Sequence, residues 1–452
     1  MRVHFIAIGG AVMHNLAIAL HKKGYRVTGS DDEIFEPSRS RLNDHGLLPE
    51  KEGWDTSMIS SDIDTIILGM HAKSDNPELV EARRLGLVVK SFPEFLYEQT
   101  RDKKRIVIGG SHGKTTITAM IMHVFRECSL NFDYMVGSAI DGFDTMVGLS
   151  ESSEIAVFEG DEYLTSPLDS RPKFHLYKPD IAVISGIAWD HINVFPEYDV
   201  YIDQFRIFVD QITANGTLIY NDGDNTAKGI AGSAREDINR VAYTMHAHFQ
   251  NKKGYWGATH NRVIPLKIFG EHNMQNLSAA REVCLIAGVS EDDFYSAIQT
   301  FSGSAKRLQL LREDGSSAIY LDFAHAPSKV NATVSAVVDR YPGHRIIVCF
   351  ELHTFSSLNL AFLPQYRNTL SGAHRAFVYY NPHALKLKRL DNLGAGEVKR
   401  SFGGQNVEVF DDSRKLIGKL LEEKGDKRIY LLMSSGDFNG TDISELAEQL
   451  IP

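Results

Sequence analysis

Short apolar runs, each closed by glycine or an acid and followed by a stretch with helical spacing, recur along the whole chain. Residues 3 to 8 open it, "YRVTGSD" (25 to 31) ends in an acid, and "DTIILG" (64 to 69) and "LVVK" (87 to 90) follow. Alternating strand and helix predicts a parallel sheet. After the charged break "EQTRDKKR" (98 to 105), a new strand feeds "VIGGSHGKTT" (107 to 116). In the helix beyond it Ile117, Met120, Ile121, Val124 and Phe125 recur at three- and four-residue steps, which predicts one buried face. "SEIAVFEGDE", "DIAVISGIAWDH" and "GTLIYNDGD" continue the theme, and "TFSGSAKR" (300 to 307) reads as a hinge. From 317 onward "SAIYLDFAH", "RIIVCFE", "RAFVYY", "VEVF" and "RIYLLMSSG" predict a further α/β domain.

Length and composition agree with this division. At 452 residues, with 43% hydrophobic and 23% charged side chains, the chain holds material for about three cores. The expected domains are 1–100, 104–301 and 302–452. A net charge of -10 offers no basic footprint for nucleic acid, and no run reaches the length of a membrane span. Neither partner is expected. Cys128, Cys284 and Cys349 form no CxxC pair, and no signal-peptide pattern follows "MRVHFIAIGG", so a cytoplasmic protein is expected.

Two glycine turns carry candidate chemistry. In Gly110-Ser111-His112-Gly113-Lys114-Thr115-Thr116 the glycines let backbone amides turn inward, the lysine reaches terminal phosphates, and the hydroxyl after it holds Mg²⁺. The strict pattern wants glycine where Ile108 stands, so this is a shortened phosphate loop. The first turn has only Gly9 and Gly10, with Ala7 and Val12 where a dinucleotide fingerprint needs glycines. Followed by Asp31 after the second strand, it reads either as a plain tight turn or as a cradle for a diphosphate-bearing ligand. Glu159 stands at a strand's carboxyl end, where a carboxylate meets a phosphate-bound metal, while Asp161 and Glu162 read equally as a solvated edge. In "WDHINVF", Asp190 and His191 follow another strand end; a lone histidine there is either structural or a ligand.

Taken together, "GGSHGKTT", "EGDEY", "DHINVF", "GEHNMQN", "KRL" and "LDFAHAPSKV" resemble, in order and spacing, the Mur ligase family of ATP-dependent amide-bond-forming enzymes. The resemblance runs from Met1 to the carboxyl end. It implies an amino-terminal Rossmann-like UDP-sugar domain, a central P-loop ATPase domain with a parallel sheet, and a carboxyl-terminal Rossmann-like domain that closes over the nucleotide. It also implies that Lys114 and Thr115 bind ATP phosphates and Mg²⁺, and that Glu159 and His191 serve metal sites. His272, Asn273 and Asn276 resemble the adenine-side motif, although Asn and His at that place also read as helix-capping groups. Arg307 and Asp322 resemble the groups brought to the phosphates and ribose, with His325 beside them. Gly9, Gly10 and Asp31 would hold the UDP diphosphate.

The implied reaction joins the carboxylate of UDP-N-acetylmuramate to an amine through an acyl phosphate. "EGDEYLTSPLDSRPKFHLYKP" and "MSSGDFNG" resemble the branch that attaches the tripeptide L-Ala-γ-D-Glu-meso-diaminopimelate more than the branch that adds L-alanine alone. Three departures stand out. "FELHTFSSLN" carries His353 where relatives have an arginine that meets the acceptor, Ala326 replaces a histidine, and Gly160 replaces an alanine. The rival readings are an L-alanine ligase and a regulator that binds both nucleotides without ligating.

Overall fold

The structure, a computed structural model, describes residues 1–189, 192, 194–251, 254–259 and 261–451. The chain forms two compact units. One comprises Met1–Ile187, Asp199–Thr244 and Ser278–Ile298; the other comprises Ala188–Tyr198, Met245–Leu277 and Gln299–Pro452. No helix among the described residues is long and apolar enough to cross a membrane.

The first unit contains two parallel sheets. A four-stranded sheet runs Arg26–Ser30, Arg2–Ile6, Thr65–Leu68, Val89–Ser91. A seven-stranded sheet runs Asn239–Tyr243, Thr217–Asn221, Ile181–Ile184, Lys104–Gly109, Ile155–Glu159, Phe132–Met135, Val147–Gly148, parallel except for its last strand. Strands such as Ile181–Ile184 are covered on both faces, which is why their sequences read as unbroken apolar runs. Helix Lys114–Glu127 departs from the expected single buried face: every residue from Thr115 to Phe125 is buried. Its three threonines and His123 face protein as well.

The charged break is not a slack linker. Helix Phe92–Thr100 runs into it, and the Arg105 side chain then pins the crossing. Its Nη1 donates to the carbonyls of Thr100, Arg101 and Lys103 at 3.0, 2.8 and 2.8 Å, and its Nε donates to Lys178 O at 2.9 Å. Lys103 Nζ meanwhile donates to Asp133 at 2.6 Å. The two sheets also touch through Asn15, whose side-chain oxygen accepts from Met146 N at 2.9 Å and from Arg41 Nη2 at 3.2 Å.

The second unit is built on a six-stranded sheet ordered Gln309–Glu313, Ala318–Asp322, Arg428–Met433, Arg345–Leu352, Arg375–Tyr380, Val407–Phe410. All but the first strand are parallel. A three-stranded antiparallel sheet, His248–Asn251, Gly254–Ala258 and Val263–Leu266, belongs to the same unit. The expected hinge at 300 to 307 is irregular chain ending in left-handed Lys306 and Leu308.

Arg105→Ala removes the guanidinium donors from four carbonyls at once, of which Thr100 O keeps the Lys103 amide. We expect a loss of about 2–4 kcal/mol, read as a lower urea midpoint for unfolding of the first unit. An unchanged midpoint would show the crossing to be held by other contacts.

Candidate active site

Strand Lys104–Gly109 ends in a turn that only glycine can make. Gly110 has φ +132°, and a Cβ there would lie 2.1 Å from Ser185 Oγ and 3.0 Å from Ser185 N. Ser111 N donates to Gly186 O at 2.9 Å, and the Ser185 hydroxyl donates to His112 O, so the loop is laced to the neighbouring strand's end. Gly113, left-handed at φ +81°, starts helix Lys114–Glu127 without a side-chain cap. The result is a helix amino terminus whose dipole and backbone amides favour an anion. Thr116 lies buried in the first turn.

Lys114 folds back over this turn. Its Nζ donates to Gly110 O and to Glu162 Oε2, both at 2.6 Å, with the lysine side chain 12% exposed and the glutamate fully buried. Burial opposes the ammonium charge. The carboxylates of Glu162, Asp161 and Glu159 outweigh it and hold the lysine pKa above its ordinary value. Tyr201 OH donates to Glu162 Oε1 at 3.2 Å and sits 2.9 Å from Ser111 Oγ, closing a ring of contacts around the loop. The solvated-edge reading of Glu162 is therefore wrong, and Asp161 likewise takes part, accepting from Lys173 Nζ.

Thr115 Oγ1 donates to Glu159 Oε1 at 2.9 Å, and Glu159 Oε2 accepts from Gly137 N at 2.7 Å. A Cβ on Gly137 would come within 3.0 Å of that carboxylate. Thr115 and Glu159 thus present hard oxygen donors side by side, the donor type that suits Mg²⁺. Among the described residues no cluster of three or more His, Cys, Asp or Glu is arranged to hold a metal. His191 and Asp190 lie outside the described residues. Gly160, a departure from the family pattern, has a packing reason: a Cβ there would lie 2.9 Å from Val107 Cγ1 and 3.1 Å from Ile108 O.

The first turn is tighter than its sequence suggests. Ala7, where a glycine was wanted, itself adopts φ +69° while fully buried. Asp31 Oδ2 accepts from Gly9 N at 2.7 Å, and a Cβ on Gly9 would approach that oxygen to 2.9 Å. Gly10 then starts helix Ala11–Lys22, again without a side-chain cap. Burial pushes the Asp31 carboxyl up to about 6.

In the second unit the motif residues are held by backbone. Asp322 accepts from Leu308 N and Ala324 N, both at 2.7 Å, and from Thr333 Oγ1 at 3.3 Å, so its carboxylate fixes the chain just after Arg307. The Arg307 guanidinium lies 4.6 Å over the Phe323 ring. His325 Nδ1 is 2.9 Å from Phe323 O, and Tyr366 OH donates to His325 O. Burial lowers the His272 pKa, only partly offset by Asp322, so this imidazole is neutral at pH 7. Asn273 Nδ2 donates to Phe269 O at 2.9 Å, and Asn276 Nδ2 to Asn273 Oδ1 at 3.4 Å, so in this conformation one amide engages a backbone carbonyl and the other its neighbour on the helix.

Sequence reasoning missed Tyr201 and Ser185. Tyr201 carries only the helical spacing of Tyr201, Phe205 and Phe208, and Ser185 only its place after a buried strand.

Family models match in sequence along the chain: "Mur ligase family, catalytic domain" at 2–104, "Mur ligase middle domain" at 108–284 and "Mur ligase, glutamate ligase domain" at 306–436. A UDP-N-acetylmuramate–L-alanine ligase of Caldicellulosiruptor saccharolyticus is 30% identical, covering 96% of each chain. The chain belongs to the Mur ligase family. It is an ATP-dependent, ADP-forming ligase. An Escherichia coli UDP-N-acetylmuramate–L-alanyl-γ-D-glutamyl-meso-2,6-diaminoheptandioate ligase is 29% identical over 78% of this chain and 79% of its own. Two solved structures share the fold. A murein peptide ligase from Psychrobacter arcticus has TM-score 0.69 at 20% identity, covering 100% of this chain and 98% of its own. A UDP-N-acetylmuramate–alanine ligase from Thermotoga maritima has TM-score 0.73 at 18% identity, with the same coverages.

The raised Asp31 pKa gives a signed expectation. An unfolded aspartate titrates near ~3.9, so between about 4 and about 6 the folded state binds the extra proton. Stability contributed by Asp31 is present below pH ~4 and is lost as pH rises through about 6. The difference in melting temperature between wild type and Asp31→Asn should therefore change across this window, with wild type losing ground as pH rises. A difference that stays constant would refute the assignment.

Proposed function

We propose that this ligase joins the lactyl carboxylate of UDP-N-acetylmuramate to the amino terminus of L-Ala-γ-D-Glu-meso-diaminopimelate. One observation carries the reading: Lys114 and the bare amino terminus of its helix converge beside the paired Thr115 and Glu159. A carboxylate oxygen attacks the γ-phosphorus of ATP, the bond to the β-phosphate oxygen breaks, and ADP leaves. The peptide amine then attacks the acyl carbon, phosphate departs, and the amine's proton is released.

In this reading residues 104–301 carry the phosphate site. Gly110, Ser111, His112, Gly113 and Thr116 shape it, and Lys114 exchanges its contact with Glu162 for the γ-phosphoryl, spreading the charge of the transferring group. Thr115 and Glu159, with His191, would hold Mg²⁺, which supplies charge neutralisation at the phosphates. His272, Asn273, Asn276, Arg307, Asp322 and His325 would attend the adenosine and phosphates, with Arg307 and Asp322 contributed by the domain at 302–452. Gly9, Gly10 and Asp31, in residues 1–100, would receive the UDP diphosphate. Two glycine turns serve two nucleotide-bearing substrates. Free L-alanine is the alternative acceptor, named for the Caldicellulosiruptor relative. Membership of a family of ADP-forming ligases speaks against a binding-only regulator.

Lys114→Ala is expected to lower ADP release at least about a hundredfold. Because the change leaves fully buried Glu162 without that cation, a melting curve should accompany the assay. With oxygen-18 in the muramate carboxylate, label is expected in the released phosphate during turnover. Product formation without labelled phosphate would overturn the acyl-phosphate route.

A further inference from the structure

The first glycine turn rests on a side chain that none of these assignments uses. Glu78 lies in the first turn of helix Pro77–Arg84 and is fully buried. No lysine or arginine pairs with it among the described residues. A carboxylate taken out of water is costly unless its acceptor sites are filled, and here both oxygens are filled by groups that border the turn. Oε2 accepts from the Ser30 hydroxyl, with His4 Nε2 3.4 Å away, and Oε1 accepts from Asp55 N at 2.7 Å. His4 is itself fully buried, its Nδ1 2.9 Å from Thr28 Oγ1. The Asn76 side chain accepts from Glu78 N and Leu79 N at 3.0 and 3.1 Å, so the carboxylate stands on a capped helix end.

Those two contacts bracket Asp31. Ser30 precedes it, and the Ser30 carbonyl accepts from Ala7 N and Ile8 N at 2.9 and 3.0 Å, the amides on either side of the left-handed bend at Ala7. On the opposing loop, Gly53 N donates to the Asp31 carbonyl at 2.7 Å, two residues before the Asp55 amide that Glu78 holds. Between these anchors the Asp31 side chain reaches Gly9 N at 2.7 Å. Strand end, opposing loop and glycine turn are thus tied through one buried carboxylate, all within the first unit. Binding groups must be held within about 0.5 Å of their productive geometry by neighbours that are themselves locked. Glu78 meets that requirement for Asp31 and the Gly9 amide.

We propose that Glu78 is a positioning residue for the UDP-sugar substrate: by holding Ser30 and Asp55 it sets the Gly9 amide and the Asp31 carboxylate where the diphosphate-bearing molecule is received. The inference rests on the reading of Gly9, Gly10 and Asp31 given above and adds the group that fixes them. It acts on one nucleotide only. None of the contacts of Glu78 involves the phosphate loop at 110 to 116, so the ATP side is untouched by its loss.

The test reads binding, not turnover. Full-length protein, held well below the melting temperature of each variant, is titrated calorimetrically with UDP-N-acetylmuramate and separately with ADP and Mg²⁺. Glu78→Gln keeps the side chain's size but replaces one acceptor oxygen by an amide. It should weaken UDP-N-acetylmuramate at least about tenfold and leave ADP within about twofold. Ser30→Ala should weaken UDP-N-acetylmuramate as well, and the double variant should lose no more than the larger single loss, because both changes break one link. A role confined to stability would lower the melting temperature and leave both affinities as they were. That result, losses that simply add, or equal weakening of both nucleotides overturns the proposal. Should Glu78→Gln fail to fold, Ser30→Ala decides alone, and an unchanged UDP-N-acetylmuramate affinity overturns it. Gly9→Ala checks the underlying reading, since its Cβ would meet Asp31 Oδ2 at 2.9 Å. If that variant binds UDP-N-acetylmuramate normally, the first turn is not the UDP-sugar site and the proposal falls with it; loss in Gly9→Ala without loss in Glu78→Gln sinks the role of Glu78 alone.

Discussion

The contact between Lys114 and Glu162 governs how the first unit is built. Taking an ammonium and a carboxylate out of water costs several kcal/mol per ion unless geometry and further hydrogen bonds return it. Here the return is visible. The lysine spends two donors on Gly110 O and Glu162, both at 2.6 Å, and the glutamate's other oxygen takes the Tyr201 hydroxyl. Each partner fixes a different element: a glycine turn, a strand end and helix Tyr198–Asp210. A phosphate arriving at Lys114 must compete with an anion already in place, and that competition favours a ligand with several charges over a singly charged one.

The glycine turns show how backbone conformation, more than residue type, defines such sites. Gly110 and Gly160 are excluded from carrying a side chain by contacts well under 3.4 Å, and at Gly110 the φ value forbids it independently. Ala7 makes the opposite point. It enters the left-handed region without glycine's freedom, at a cost of order 1–3 kcal/mol, and the buried strands around it supply the constraint. Asp31 then closes the turn through Gly9 N, so the acid expected beside the UDP diphosphate is also the brace of the loop before it.

The parallel sheets were legible because strands buried on both faces must be apolar throughout, and the runs at 106 to 108, 181 to 184 and 346 to 350 announce themselves. The antiparallel pieces were not. His248–Asn251 reads HFQN and Gln309–Glu313 reads QLLRE, strands half-exposed or at an edge, whose polar positions break any run. The phosphate loop was legible as a motif. The role of Glu162 was not, because a carboxylate three residues past a strand end looks the same whether it meets water or a lysine. Local sequence also could not reveal that Asp322 accepts from Leu308 N, 14 residues earlier in the chain.

Asp322 and Glu351 illustrate a shared logic in the second unit. Both close adjacent segments of the six-stranded sheet by accepting backbone amides, and both are almost fully buried. They differ in what remains. Asp322 uses both oxygens on the protein, taking two amides and the Thr333 hydroxyl, so its influence on a ligand passes through the position it imposes on Arg307. Glu351 accepts from the Ser434 hydroxyl and Phe438 N through one oxygen, with the His353 imidazole 3.8 Å from the other.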